Sequence, residues 1–333
     1  MISNLPPLLV VSVIFLFSLL GTALMRWLAG RLGWVVKPRA DRWHKKPTAL
    51  HGGVGFYPAF LLGSSVILFW QLSGESPGWS SLGTVSKDVV LAASLLIGSF
   101  LMFCLGLWDD FANLRPATKV IGQLVAASVF IFAGGIFPLS GNYVPDLLVT
   151  YFWFVGITNA VNMLDNMDGL ASGVVILAGV TVVVLTLQAN PSSVHIPPAV
   201  WLGVMLVSAL LGFWVHNRPP ATIFMGDSGS LFIGYVLAAL AIPSPLNDFL
   251  GVQTRANVLG PVLALLIPAT VLAVPIFDTT LVTITRKWRA AKATQGGRDH
   301  SSHRLVGLGL SEKRAVWVLY SFSVLGGVVA ILM

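Results

Sequence analysis

Long apolar runs separated by short polar stretches repeat from one end of the 333-residue chain to the other. About 20 consecutive apolar residues carry an α-helix across the roughly 30 Å of hydrocarbon in a bilayer. By that measure the pattern predicts ten spans, at 8–28, 52–71, 89–108, 119–138, 147–163, 169–187, 198–216, 229–243, 257–283 and 315–332. The ninth is long enough to tilt or kink. The first run has no basic region before it and passes directly into a basic loop, so it reads as a span rather than a cleaved signal peptide. No polar stretch is large enough for a separate soluble domain. The expectation is one all-α, polytopic integral membrane domain covering 1–333.

Composition supports this: 56% of residues are hydrophobic and 10% charged, against roughly 25% charged in soluble domains. The net charge of +7 does not point to a nucleic-acid partner, because most basic residues sit between apolar runs instead of forming a footprint on a soluble face. Their distribution orients the chain instead, since Lys and Arg are retained on the cytoplasmic side. With the N-terminus outward, 18 of the 20 Lys and Arg residues fall in or beside the inward segments, leaving Lys87 and Arg255 outside. Both termini are then expected outward. The single cysteine, Cys104, lies within an apolar run and reads as a buried structural thiol.

Carboxylates are costly in hydrocarbon, and the chain has 13 acidic residues. Asp109, Asp110, Asp165, Asp168, Asp227, Asp278 and Asp299 all fall at or near the same cytoplasmic boundary. One such residue could simply solvate a span end. Polar groups brought by five inward segments point instead to a shared cleft on that face.

Four segments carry candidate chemistry. Asp109 and Asp110, in LGLWDDFANLRPATK, suit one of two uses: together holding a hard cation such as Mg²⁺, or leaving one carboxylate less committed to metal to accept a proton. Lys119 follows, either drawing a phosphate or snorkelling to the interface. In NAVNMLDNMDGLASG, residues Asn159, Asn162, Asp165 and Asp168 recur every third position, lining one drifting face if the helix continues; they serve a polar cleft or a network joining spans. In FMGDSGS, Asp227 precedes a new helix whose N-terminal amides can receive phosphate oxygens, although the stretch lacks the ending of a nucleotide P-loop. In GRDHSSHRL, the group Arg298, Asp299, His300, His303 and Arg304 suits an anionic phosphate. Arg286, Lys287, Arg289 and Lys292 read mainly as orientation determinants. His44, His51, His195 and His216 carry no assigned catalytic role, His51 reading equally as a cleft edge or a loop cap.

Taken together, HGG at His51–Gly53, the Asp109–Asp110 pair with Lys119, NAVNMLDNMDGLASG, FMGDSGS, PIFD ending at Asp278 and GRDHSSHRL resemble the polyprenyl-phosphate N-acetylhexosamine-1-phosphate transferases (glycosyltransferase family 4). The resemblance spans most of the chain and includes the enzymes that initiate enterobacterial common antigen, O-antigen and wall teichoic acid. It implies ten spans in a bacterial inner membrane, a cytoplasmic-face active site and Mg²⁺ dependence, with Mn²⁺ as a possible substitute. It also implies attack of undecaprenyl phosphate on a UDP-N-acetylhexosamine, UDP-GlcNAc first, with release of UMP. On the same resemblance Asp227, Asp109 and Asp110 are metal candidates and, with His300, the catalytic set. Lys119, Asn162, Asp165, Asp168, His303 and Arg304 are expected to bind substrate, and dimers are common in the family.

Two departures matter. The chain reads Asp165-Asn166-Met167-Asp168-Gly169 where the family more often has an earlier Asp-Gly. It also has His300-Ser301-Ser302-His303 in place of the consecutive histidines of the peptidoglycan enzyme, which disfavours a muramoyl-pentapeptide donor. The competing class is a polytopic transporter of a phosphorylated or nucleotide-linked substrate, which predicts access to both faces; a noncatalytic polyprenyl-lipid scaffold is a third reading.

Overall fold

The computed structural model describes residues 7–37, 46–75, 86–189, 196–242, 259–288 and 299–333. His44, His195, Arg39, Arg42, Lys45, Arg255, Arg289, Lys292 and Arg298 lie outside them, as does residue 243 of the eighth expected span and 257–258 of the ninth. Twelve helices are present among the described residues: α1 Pro7–Leu32, α2 Gly52–Glu75, α3 Lys87–Ala112, α4 Pro116–Phe132, α5 Tyr143–Leu164, α6 Leu170–Gln188, α7 Pro198–Asn217, α8 Asp227–Leu240, α9 Leu259–Val271, α10 Ala273–Trp288, α11 Ser301–Gly307 and α12 Glu312–Leu332. Each expected span meets a helix. The local signals are conventional: Ser86 and Ser311 cap α3 and α12, and Pro116 and Pro198 open α4 and α7, where a missing N–H costs nothing.

Seven of these helices, α1, α2, α3, α5, α6, α7 and α12, are long and apolar enough to cross a bilayer. The ninth run is kinked rather than tilted: α9 and α10 meet at an 83° bend. The eighth is also shorter than expected. At 14 residues and 1.5 Å per residue, α8 spans about 21 Å, less than the hydrocarbon thickness. It has no lipid face, because every residue from Ser228 to Leu240 is buried. It packs against α3, α5 and α2 in the middle of the bundle. Its Phe232 lies against Phe56 and Phe60 of α2 and its Tyr235 against Phe154 of α5, all nearly inaccessible. Its N-terminal residue, Asp227, is thereby fixed at one end of the bundle core.

Cys104 is exposed on α3, not buried. The outer face of a membrane bundle meets lipid, so an apolar run does not by itself distinguish core from surface. Two short strands, β1 Val35–Val36 and β2 Thr48–Ala49, pair antiparallel with Val35 opposite Ala49 and Val36 opposite Thr48. Ala49 also bridges to Ile223. This joins the connection before α2 to the one before α8.

Candidate functional site

The ends of α3, α5 and α7 and the starts of α4 and α8 meet at one end of the bundle. Lys119, in the first turn of α4, sits between two carboxylates: its Nζ lies 2.6 Å from Asp109 Oδ2 and 2.7 Å from Asp227 Oδ2. Asn162, two residues before the end of α5, donates from Nδ2 to Asp227 Oδ1 at 2.9 Å and to Ser230 Oγ at 2.8 Å. Asp109 Oδ1 accepts the Leu114 amide at 2.7 Å, fixing its other oxygen toward Lys119. Four side chains from four helices thus converge on one point with net negative charge.

The adjacent aspartates part company, because successive helical residues point about 100° apart. Asp110 accepts the backbone amides of Asp227 and Ser228, at 2.7 Å on Oδ1 and 3.1 Å on Oδ2. It caps α8 from outside, so those amides serve a carboxylate of the protein and not the incoming phosphate expected from sequence. Gly226, just before, has φ +76°, and a Cβ there would lie 2.8 Å from Asp110 Oδ2. Only glycine both adopts that backbone and leaves the carboxylate its place.

The three-residue periodicity after Asn162 does not continue as a helix. Asp165 is the C-cap of α5, with ψ 51°, and the chain turns before α6. Asp165 nonetheless stays near the centre: loss of water around its carboxyl, with like charge from Asp227, Asp168 and Asp110, raises its pKa from 3.8 to about 7. Asp168 accepts the Ala221 amide at 2.8 Å, bracing the loop before α8. Asn159 pairs reciprocally with Gln123, Nδ2 to Oε1 at 2.7 Å and Nε2 to Oδ1 at 3.2 Å. This pair lies about one helical turn deeper than Lys119 and Asn162 and locks α4 to α5. The sequence pattern left out Gln123, although it stands four residues, about one helical turn, from Lys119, as Asn159 stands three from Asn162.

The last loop forms a second group. Asp278, in α10, is 0% exposed. Its Oδ2 lies 2.7 Å from His300 Nδ1, while its Oδ1 accepts the Ser301 amide at 2.7 Å and the Ser301 hydroxyl at 2.6 Å. A carboxylate against one ring nitrogen fixes the imidazole's orientation and leaves Nε2 as its other polar atom. Ser302 donates to Asn166 Oδ1 at 2.7 Å, tying this loop to the α5–α6 turn. His303 stacks edge-on against His300, with ring centroids 5.6 Å apart. Arg304 donates to the Asp299 carbonyl at 3.0 Å and Thr285 Oγ1 at 2.7 Å. Arg286 Nε lies 3.4 Å from Asp299 Oδ2. His216 is spent elsewhere, with Nε2 3.2 Å from the Leu19 carbonyl between α7 and α1.

No group of three or more His, Cys, Asp or Glu side chains comes together as a complete metal cage among the described residues. Mg²⁺ is commonly held by one or two carboxylates together with substrate phosphates and water. Asp109 and Asp227 supply such a pair of hard oxygens. Lys119 between them shows that both carboxylates already face a common cationic point. Positive groups beside paired carboxylates suit binding and charge neutralisation of a polyphosphate.

Comparison with known proteins adds an independent line. The model for glycosyl transferase family 4 matches residues 92–244, which contain the Asp109–Lys119–Asn162–Asp227 group. A decaprenyl-phosphate N-acetylglucosaminephosphotransferase from Mycolicibacterium smegmatis is 34% identical over 319 residues, covering 90% of this chain and 75% of the relative. A probable undecaprenyl-phosphate N-acetylglucosaminyl 1-phosphate transferase from Bacillus subtilis is 29% identical over 336 residues, covering 96% and 84% respectively. A phospho-N-acetylmuramoyl-pentapeptide-transferase from Lactobacillus johnsonii is 32% identical over 232 residues, covering 63% and 66%. With a relative this similar aligned along nine-tenths of the chain, and the family match enclosing the converged site, this multi-pass membrane protein belongs to glycosyl transferase family 4, the polyprenyl-phosphate N-acetylhexosamine-1-phosphate transferases.

Proposed function

We propose that the protein transfers N-acetylhexosamine-1-phosphate from a UDP-sugar, UDP-GlcNAc first, to undecaprenyl phosphate, at the cytoplasmic face of a bacterial inner membrane. The observation that carries this reading is the meeting of Asp109, Lys119, Asn162 and Asp227 at one end of the bundle. The charge distribution of the sequence supports the orientation: 18 of 20 Lys and Arg residues fall in or beside the segments expected to face inward, with both termini expected outward. Support for an N-acetylglucosamine donor comes from relatives with that name aligning over 90% and 96% of the chain, against 63% for the pentapeptide transferase.

In the reaction, an oxygen of the lipid phosphate attacks the β-phosphorus of the donor. The bond from that phosphorus to the bridging oxygen breaks, and UMP leaves with the bridging oxygen. The attacking phosphate is already anionic, so the protein need not generate a nucleophile of its own. Positioning and charge neutralisation carry most of the rate. Mg²⁺, with Mn²⁺ as substitute, would be held by Asp227 and Asp109 beside the diphosphate and would neutralise its charge. Lys119 balances the two carboxylates and would meet a phosphate oxygen of the substrate. Asn162 orients Asp227. His300, held by Asp278, with His303 and Arg304, forms the phosphate-facing side of the last loop. Asp110 acts by holding the start of α8.

The test is mass spectrometry of lipid products from purified protein given undecaprenyl phosphate, Mg²⁺ and a panel of UDP-N-acetylhexosamines. A lipid heavier by one N-acetylhexosamine phosphate, formed with UMP and lost without metal and in Asp227→Ala, is the expected result. Folded wild-type protein that yields no product across the panel would overturn the reading.

A further inference from the structure

His51 stands just outside the group described above, and three observations single it out. Its backbone has φ +67°, a left-handed conformation uncommon for a non-glycine residue. Its side chain is buried, 3% exposed, with the ring stacked on Phe111 at 4.6 Å and 27° and set edge-on to Trp34 at 5.4 Å. Its Nδ1 lies 3.3 Å from Asp110 Oδ2 and forms no hydrogen bond in proper line with any acceptor or donor. A polar ring atom buried this way costs free energy, as does the backbone. Such strain persists only where the surrounding structure enforces it.

The same tripeptide also grips the segment before α8. The Gly52 amide donates to the Phe224 carbonyl at 2.8 Å and the Gly53 amide to that of Met225 at 2.9 Å. Backbone and side chain therefore converge on one object from two directions: residues 224–225 directly, and residues 227–228 through Asp110.

We propose that His51 is a positioning residue, whose imidazole, wedged between Trp34 and Phe111, braces the Asp110 carboxylate that caps α8 and thereby sets the place of Asp227. The catalytic consequence rests on the transferase reading of the site; the bracing itself does not. His51→Phe keeps an aromatic ring for the stack and removes the ring nitrogens. His51→Asn tolerates the left-handed backbone and restores a polar group.

Two readouts test this in the full-length protein in detergent. Hydrogen exchange of a peptide covering 224–231 reports directly on the amides that Asp110 holds, and the Mg²⁺ concentration giving half-maximal UMP release reports on Asp227. In His51→Phe, exchange is expected to quicken about tenfold and the Mg²⁺ requirement to rise about tenfold, the size of effect of losing one supporting contact at a metal site. The KM for the UDP-sugar should stay within about threefold, and His51→Asn should recover part of both losses. Unchanged exchange in both variants overturns the proposal, even if the wild-type protein shows no transferase activity. Wild-type turnover and Mg²⁺ requirement in His51→Phe overturn it as well. If His51→Phe does not fold, the decision falls to His51→Asn against His51→Gly. Glycine accepts the backbone but offers no brace, so equal behaviour of the two refutes the role.

Discussion

Gly106 is where packing and chemistry meet most directly. It lies on α3 one turn before Asp110 and faces the start of α8. A methyl group there would sit 2.5 Å from the Asp227 carbonyl carbon and 2.7 Å from Ser228 Cα. Carbon atoms rest at about 3.5 Å, so Gly106→Ala must push the first turn of α8 away by roughly 1 Å. Both obstructing atoms belong to backbone, which cannot rotate aside as a side chain would. The contacts that define the site are 2.6–2.9 Å long. Those reaching Asp227 would stretch past the limit of a hydrogen bond, about 3.5 Å. A 1 Å misplacement at a reacting centre costs about 100-fold in rate, and overpacking destabilises by about 1–3 kcal/mol. The expected outcome is therefore a loss of roughly 100-fold in UMP release per folded molecule. Gly98→Ala supplies the control. Its methyl would collide with the ring and hydroxyl of Tyr235, on the same pair of helices but eight residues along α8 from Asp227. It should lower the melting temperature similarly while turnover per folded molecule stays within about threefold. Gly106→Ala within about threefold of wild type, or equal rate losses in both variants, would refute the claim that the α3–α8 approach sets the site.

Lys119→Met leaves Asp109 and Asp227 facing each other without their shared cation; initial rates over a Mg²⁺ titration should fall about 100-fold at low metal and recover partly at high metal. Asp278→Asn removes the carboxylate that orients His300, so kcat should drop about tenfold or more with a displaced pH–rate profile, and Asp278→Glu should recover little because the site is fully buried. Asp165 makes stability depend on pH in a definite direction. Its carboxyl ionises near 3.8 ordinarily but near 7 in the fold, so the folded state holds a proton that the unfolded state has released. Stability without divalent cations should therefore fall as pH rises from about 4 to 7 and then level off. Thermal melts should show that trend in the wild type and a shallower one in Asp165→Asn, because burial also raises Asp227, to about 6, and its share remains.

The hydrophobic pattern located ten apolar helical segments because burial of backbone polar groups in lipid leaves a spanning chain little choice but helix. The aspartates at span boundaries were legible too, since charge in a hydrophobic run stands out against its surroundings. What pattern could not distinguish was an apolar face toward lipid from one toward protein. Cys104 therefore looked buried, and α8 looked like an ordinary span when it is a short central pillar. Spacing likewise kept Asp165 and Asp168 on one helical face that ends at Leu164.

The division of labour within the site belongs to tertiary structure alone. The sequence placed Asp109 beside Asp110 with nothing to separate them; the fold turned one toward Lys119 and Asp227 and the other onto the amides of α8. It gave His51 no more weight than His216, yet the first meets Asp110 and the second a carbonyl of α1. Asp278 and His300 are 22 residues apart in the chain and 2.7 Å apart in space. Composition and periodicity determine which solvent a segment seeks and what local structure it takes there. Which polar atoms share a hydrogen bond depends on how helices distant in sequence cross, and that is decided only when they pack.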